Sequence, residues 1–126
     1  LGAHQLHEHA RVEVARAGYD VVINFNENLG AAEETRGLVE KAGGVGETCQ
    51  ADITAKSDRD LLVEFTMDHF GRIDLLVNNA GIAPSIRKDI LETEEETFDR
   101  ILNANIRAPY FVSQRVAREM IELIEA

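Results

Sequence analysis

Apolar runs and amphipathic stripes alternate along the chain. The sharpest feature is Ile73-Asp74-Leu75-Leu76-Val77, which drives into Asn78-Asn79-Ala80-Gly81. Its length and its aliphatic content predict a strand over 73–77, covered on both faces. Val21-Val22-Ile23-Asn24-Phe25 predicts a second strand and residues 45–51 a weaker third. Between them lie helical patterns. Leu6, Ala10, Val14 and Ala17 share one side of a helix over 6–17, closed by Gly18. Ala31, Ala32, Thr35, Leu38, Val39 and Ala42 make the apolar stripe of a helix over 29–42, ended by Gly43-Gly44. Ser57-Asp58-Arg59-Asp60 resembles a capping box and opens a helix that stops before Gly71. Residues 82–92 hold Pro84 and read as a loop. Thr93-Glu94-Glu95-Glu96 is a second capping box, for a helix over 94–104. The last helix starts near Arg107, with Pro109 in its first turn, and runs through Val112, Val116 and Met120. Strands joined by helices predict an α/β fold with a doubly wound parallel sheet.

That topology gives the polar residues after the strands their interest. In an open parallel sheet, ligands sit beyond the carboxyl ends of the strands. Asn78 and Asn79 offer donors and acceptors there, and Gly81 permits close approach. The residues alone fit an ordinary Asn/Gly turn equally well.

Composition narrows the function classes. A length of 126 residues allows one domain, and 44% hydrophobic with 29% charged residues is the balance of a soluble globular protein. The net charge of −10, without a basic cluster, argues against nucleic acid and anionic membranes as partners. A phosphate-bearing small ligand stays open, because backbone N–H groups at a helix start hold anions without net positive charge. The lone Cys49 excludes an intrachain disulfide, reads as a buried structural thiol and points to the cytoplasm. No apolar run reaches membrane-spanning length. His4, His7 and His9 with Glu8 read as a solvated terminal segment rather than a metal site, and no metal is expected. The acidic run Glu92 to Glu96 reads as a helix start.

Several stretches together resemble the short-chain dehydrogenase/reductase family. Asn78-Asn79-Ala80-Gly81 matches its NNAG motif, and Asp52-Ile53 its short Asp-aliphatic step. Phe98-Asp99-Arg100-Ile101-Leu102-Asn103-Ala104-Asn105 resembles the segment ending in the catalytic asparagine. Ala17 to Asn24 and Gly71-Arg72-Ile73-Asp74 are also typical. The resemblance covers about residues 10–126 and looks most like bacterial 3-oxoacyl-acyl-carrier-protein reductase-like members. It implies one partial Rossmann-like, dinucleotide-binding domain over 1–126 and an oxidoreductase that interconverts carbonyl and alcohol with NAD or NADP. By position, Asp52 and Ile53 would contact adenine and Asn26 would lie near its ribose. Asn79, Ala80 and Gly81 would line the path of the cofactor ribose. Asn105 would hold a water of the proton relay. Asn24-Phe25-Asn26 carries no acid where the family's NAD users commonly have one, so the resemblance leans to NADP. A small carbonyl substrate and a homo-oligomer through the last helix are also implied.

Three departures qualify that expectation. The family's glycine-rich turn corresponds here to residues 1–7, where Gly2 fits but Gln5 and His7 replace the later glycines. The family's first strand, at the sheet centre, is missing. Either the strands at 21–25 and 73–77 close directly together, or the fold is marginally stable. Finally, no catalytic Ser and Tyr-x-x-x-Lys occur in these 126 residues, and Tyr19 and Tyr110 lack Lys four positions on. The expectation is therefore a partial chain without turnover. The alternatives are a non-catalytic degenerate Rossmann module, acting in subunit association or weak nucleotide binding, and a truncated or misread product. A frameshift across residues 1–9 would explain the lost glycines.

Overall fold

A computed structural model describes residues 3–78 and 89–126, with side chains from residue 10 onward in the first helix. Helix α1 (Ala3–Arg16) leads to strand β1 (Val21–Phe25), helix α2 (Leu29–Lys41) and strand β2 (Gly46–Gln50). Helix α3 (Lys56–Phe70) follows. After residue 89 come α4 (Glu95–Leu102), a π-helical segment (Asn103–Arg107) and α5 (Ala108–Glu125). β1 and β2 pair in parallel, in register from Val21 opposite Gly46 to Phe25 opposite Gln50.

Local chemistry accounts for these elements. Asn28 caps α2, its side chain accepting from the Ala31 N–H at 3.0 Å. Gly71 ends α3 in the left-handed region, at φ 72°, which a residue without Cβ adopts at no steric cost. Gly44 lets chain segments meet: a Cβ there would lie 3.1 Å from the Tyr19 carbonyl oxygen. Two cores result. Ala15, Ile23, Ala32 and Val39 pack α1, β1 and α2 together, with Val21, Phe25 and Ala42 alongside. Val63, Val112 and Val116 join α3 to α5, with Ile53, Met67, Ile73, Leu76 and Met120 around them.

The α/β class and the parallel pairing agree with the sequence, and the fold is incomplete: the described sheet has two strands. The expected strand at 73–77 does not form. Residues 72–78 carry no regular structure, and no described strand pairs with them. Ile73 and Leu76 still lean on the second core, whereas Leu75 and Val77 are each 47% exposed. A strand takes its backbone hydrogen bonds from a neighbour, so apolar content alone does not make one. Nor do 21–25 and 73–77 close together directly; β1 pairs with β2.

Both expected capping boxes differ as well. α3 starts one residue before Ser57, with Ala55 at its cap and no side-chain capping bond. α4 is capped by Glu94, again with no side-chain capping bond, and the Thr93 hydroxyl donates to the Asp89 carbonyl at 3.1 Å. The helices expected over 94–104 and from 107 are continuous through the π-helical turn, closed by the Ala108 N–H on the Asn103 carbonyl. Pro109 has no N–H to give to the carbonyl four residues back, and the chain widens just before it.

Candidate functional site at the carboxyl ends of the strands

Because β1 and β2 run parallel, they deliver their polar termini to one edge. Asn26 follows β1 and Ala51-Asp52-Ile53 follows β2. The Ala51 N–H donates to the Phe25 carbonyl at 2.9 Å, and Gln50 Nε2 donates to the Asn26 carbonyl at 3.0 Å. Asn24 Nδ2 crosses the strand pair, donating to the carbonyls of Ala51 at 2.9 Å and Cys49 at 3.3 Å. These bonds place Asn26 next to the Asp52-Ile53 turn, with the start of α2 at the same edge. Asn26 is exposed, while Asp52 and Ile53 are half-buried.

The turn itself is firmly held. Asp52 Oδ1 accepts from the Thr54 N–H at 3.0 Å and from the Thr54 hydroxyl at 2.6 Å. The Asp52 N–H donates to Asp58 Oδ2 at 2.8 Å, and Arg59 Nη1 donates to the Ile53 carbonyl at 2.9 Å. Beneath it, burial pushes the Cys49 thiol up from its ordinary value, and the Asp58 carboxylate adds to the shift.

The other expected residues sit elsewhere. Asn105 lies half-buried in the π-helical segment, on a different element from Asn26, Asp52 and Ile53. Its neighbour Asn103 has a buried Oδ1 without a hydrogen-bond partner among the described residues. Asn78 Nδ2 donates to the Ser113 hydroxyl at 3.1 Å, which in turn donates to the Pro109 carbonyl at 2.7 Å. The end of the 72–78 segment is thereby fixed to the first turns of α5. Asn79, Ala80 and Gly81 lie outside the described residues, as do the side chains of His4, His7, Glu8 and His9. An open groove of about 750 Å³ runs along α4, the π segment and α5, lined by Leu102, Asn103, Ile106, Arg107, Tyr110 and Phe111. No three His, Cys, Asp or Glu side chains among the described residues form a metal-holding group.

Sequence reasoning missed Asn24, Asp58, Arg59 and the π turn. Asn24 carried a signal, as the one amide in an apolar strand. Asp58 and Arg59 stand in the sequence as part of a capping pattern. Pro109, shortly after the Asn-rich stretch, was the only hint of the widened turn.

A protein-family model described as short chain dehydrogenase matches residues 7–125. The chain belongs to the short-chain dehydrogenase family. Among curated relatives, the 2-dehydro-3-deoxy-D-gluconate 5-dehydrogenase of Dickeya dadantii is 39% identical over 114 residues. That match covers 88% of this chain and 42% of the relative. Among solved structures, a Burkholderia cenocepacia protein described as a dehydrogenase, with bound NADP, superposes with a TM-score of 0.83 at 27% identity. It is matched over 91% of this chain and 44% of its own. A Bacillus thuringiensis protein described as a 3-oxoacyl-reductase gives a TM-score of 0.79 at 28% identity, over 92% of this chain and 49% of its own. The chain spans less than half the length of the curated relatives it matches. No described helix is long and apolar enough to cross a membrane.

Proposed function

We propose that this chain is the adenosine-binding part of an NAD(P)-dependent oxidoreductase that interconverts a small carbonyl and its alcohol, 3-oxoacyl-reductase-like, and that it has no turnover by itself. The observation that carries this reading is the fixed turn Asp52-Ile53 beside Asn26 at the carboxyl edge of a parallel strand pair. Asp52 and Ile53 hold the adenine, and Asn26 lies against its ribose. Asn79, Ala80 and Gly81 line the path of the cofactor ribose, and Asn105 holds a water of the proton relay.

The dinucleotide's two ends fit unequally. The adenosine end finds a preorganised turn. The pyrophosphate end meets residues 3–7, which lie in α1 rather than in a glycine-rich turn. Binding is therefore weak and rests on the adenosine end. Asn24-Phe25-Asn26 presents no acid to the adenosine ribose, which favours NADP over NAD, in keeping with the NADP held by the Burkholderia cenocepacia protein. The cofactor, when bound, supplies the hydride. A proton must also reach or leave the substrate oxygen, and the Tyr-x-x-x-Lys that the family uses for it does not occur in these residues. Position 23 is Ile and position 114 is Gln, so neither Tyr19 nor Tyr110 has a lysine four residues on. Asn105 orients a water but carries no acid. The buried, lone Cys49 suits the cytoplasm.

Thermal melts of the purified chain with saturating NADPH or NADH test the reading. The expected result is a cooperative transition raised by NADPH more than by NADH, because a ligand selective for the native state stabilises it. Ketone reduction is expected to be undetectable. A transition indifferent to both cofactors refutes nucleotide binding, and measurable turnover refutes the inactivity.

A second reading, a non-catalytic module in subunit association, is favoured by exposed apolar residues on one continuous helix. Ile106, Tyr110, Ile121 and Ile124 are all more than half exposed. Homo-oligomers in sedimentation, without any cofactor shift in the melt, would put this reading first.

A further inference from the structure

Two consecutive residues on the first turn of α3 grip two consecutive residues of the turn after β2. The Asp58 carboxylate takes the Asp52 N–H at 2.8 Å, and the Arg59 guanidinium gives to the Ile53 carbonyl at 2.9 Å. The same guanidinium lies over the Phe111 ring of α5, its central carbon 5.5 Å from the ring centroid. Arg59 is half-buried, so this contact is partly withdrawn from water. One flat cation therefore touches the turn with its edge and the helix with its face. Phe111 sits four residues beyond the π-helical segment that contains Asn105.

We propose that Arg59 is a positioning residue that clamps the Asp52-Ile53 turn to helix α5, so that the adenine end of a nucleotide and the helix carrying Asn105 are seated together. The nucleotide half of this inference rests on the adenosine site proposed above; the clamp itself does not. Lysine substitutes at the turn alone: its ammonium can donate to the Ile53 carbonyl, but it is a point charge without a face to stack on Phe111. α3 and α5 are also joined without Arg59. Val63, Val112 and Val116 pack between them, and Arg115 of α5 pairs with Asp60 of α3 at 3.3 Å. Removing Arg59 thus takes away the turn's link to α5, while Asp58 stays on the Asp52 N–H and the two helices stay packed.

The test uses the 126-residue chain with Arg59→Met, Arg59→Lys and, as a control at the independent bridge, Arg115→Met. Amide hydrogen exchange is read at residues 52–54 and 110–113 without nucleotide, and NADPH affinity by calorimetry. Arg59→Met is expected to speed exchange at 52–54 about tenfold or more and to weaken NADPH about tenfold, with β1 and β2 unchanged; loss of one hydrogen bond from a charged donor has this size. Arg59→Lys is expected to restore slow exchange at 52–54 but not at 110–113. Arg115→Met is expected to leave 52–54 as in the parent. Unchanged exchange at 52–54 in Arg59→Met overturns the clamp, whether or not NADPH binds. Faster exchange with undiminished NADPH affinity overturns the positioning role. Absence of NADPH binding by the parent chain overturns the adenosine site and leaves exchange alone to decide the clamp.

Discussion

The two cores among the described residues use similar side chains and reach different ends. Around Ile23 and Val39, helices cover a parallel strand pair, and the backbone of each strand is bonded to its neighbour. Around Val63, Val112 and Val116, two helices pack, but the apolar segment 72–78 joins them without a ladder. It contributes Ile73 and Leu76 and leaves Leu75 and Val77 half in water. Helices bring their own hydrogen bonds, so α3 and α5 form wherever their apolar stripes meet. A strand borrows its hydrogen bonds from another segment, and here β1 and β2 lend theirs to each other.

Truncation tests that contrast most strongly. Ile23 is 2% exposed, and Ile23→Ala is expected to cost about 2–5 kcal/mol in urea unfolding. Leu75→Ala is expected to stay within about 0.5 kcal/mol. Equal costs would mean that 72–78 is packed in solution as tightly as β1. A smaller effect sharpens the picture of the first core. Asn24→Ala removes the donor that serves the Cys49 and Ala51 carbonyls, and is expected to cost about 1–3 kcal/mol. No loss in the same unfolding assay would show that the strand ladder alone holds that edge.

The smallest effect concerns the second core. Asp60 is held below the ordinary carboxylate range, chiefly by its hydrogen bond to Lys56, then by the charges of Lys56 and Arg115. A carboxyl depressed on folding contributes stability above its unfolded pKa and loses it as pH falls through the folded value. Melts below the usual carboxylate range should therefore fall with pH a little less steeply in Asp60→Asn. Lys56 is exposed and Asp60 and Arg115 are half-buried, so salt should blunt the difference. Parallel pH curves for the two proteins would show that neither Lys56 nor Arg115 stabilises the folded chain through Asp60.

Local signals in the sequence were read well. The strand expected over 21–25 is the one observed, and the helix expected over 29–42 forms at Leu29–Lys41. Those stretches contain their own instructions: a β-branched run, a periodic stripe, a capping Asn28 and a closing glycine pair. What failed depended on partners. The run 73–77 had strand composition but no described neighbour. Ser57-Asp58-Arg59-Asp60 looked like a cap because spacing cannot show that Asp58 and Arg59 would turn to Asp52 and Ile53 instead. At the candidate site, sequence brought Asn26, Asp52 and Ile53 into view, and the strand register then placed them at one edge. The residues that hold the turn were invisible, since their partners lie six positions away with no periodic relation. The π-helical turn was missed because it alters the spacing of hydrogen bonds without altering composition.

The half-exposed stretch after α3 has a consequence in the cell rather than in the fold. Short aliphatic segments of high β-propensity, outside any sheet, are what chaperones and proteases sample and what seeds edge-to-edge aggregation. This one carries its own brake. Arg72 and Asp74 form a bidentate ion pair at its head, with contacts of 2.6 to 3.0 Å. Charges so placed act as gatekeepers, resisting the stacking that Leu75, Leu76 and Val77 invite. Two charged residues that belong to neither core thus guard the stretch against aggregation.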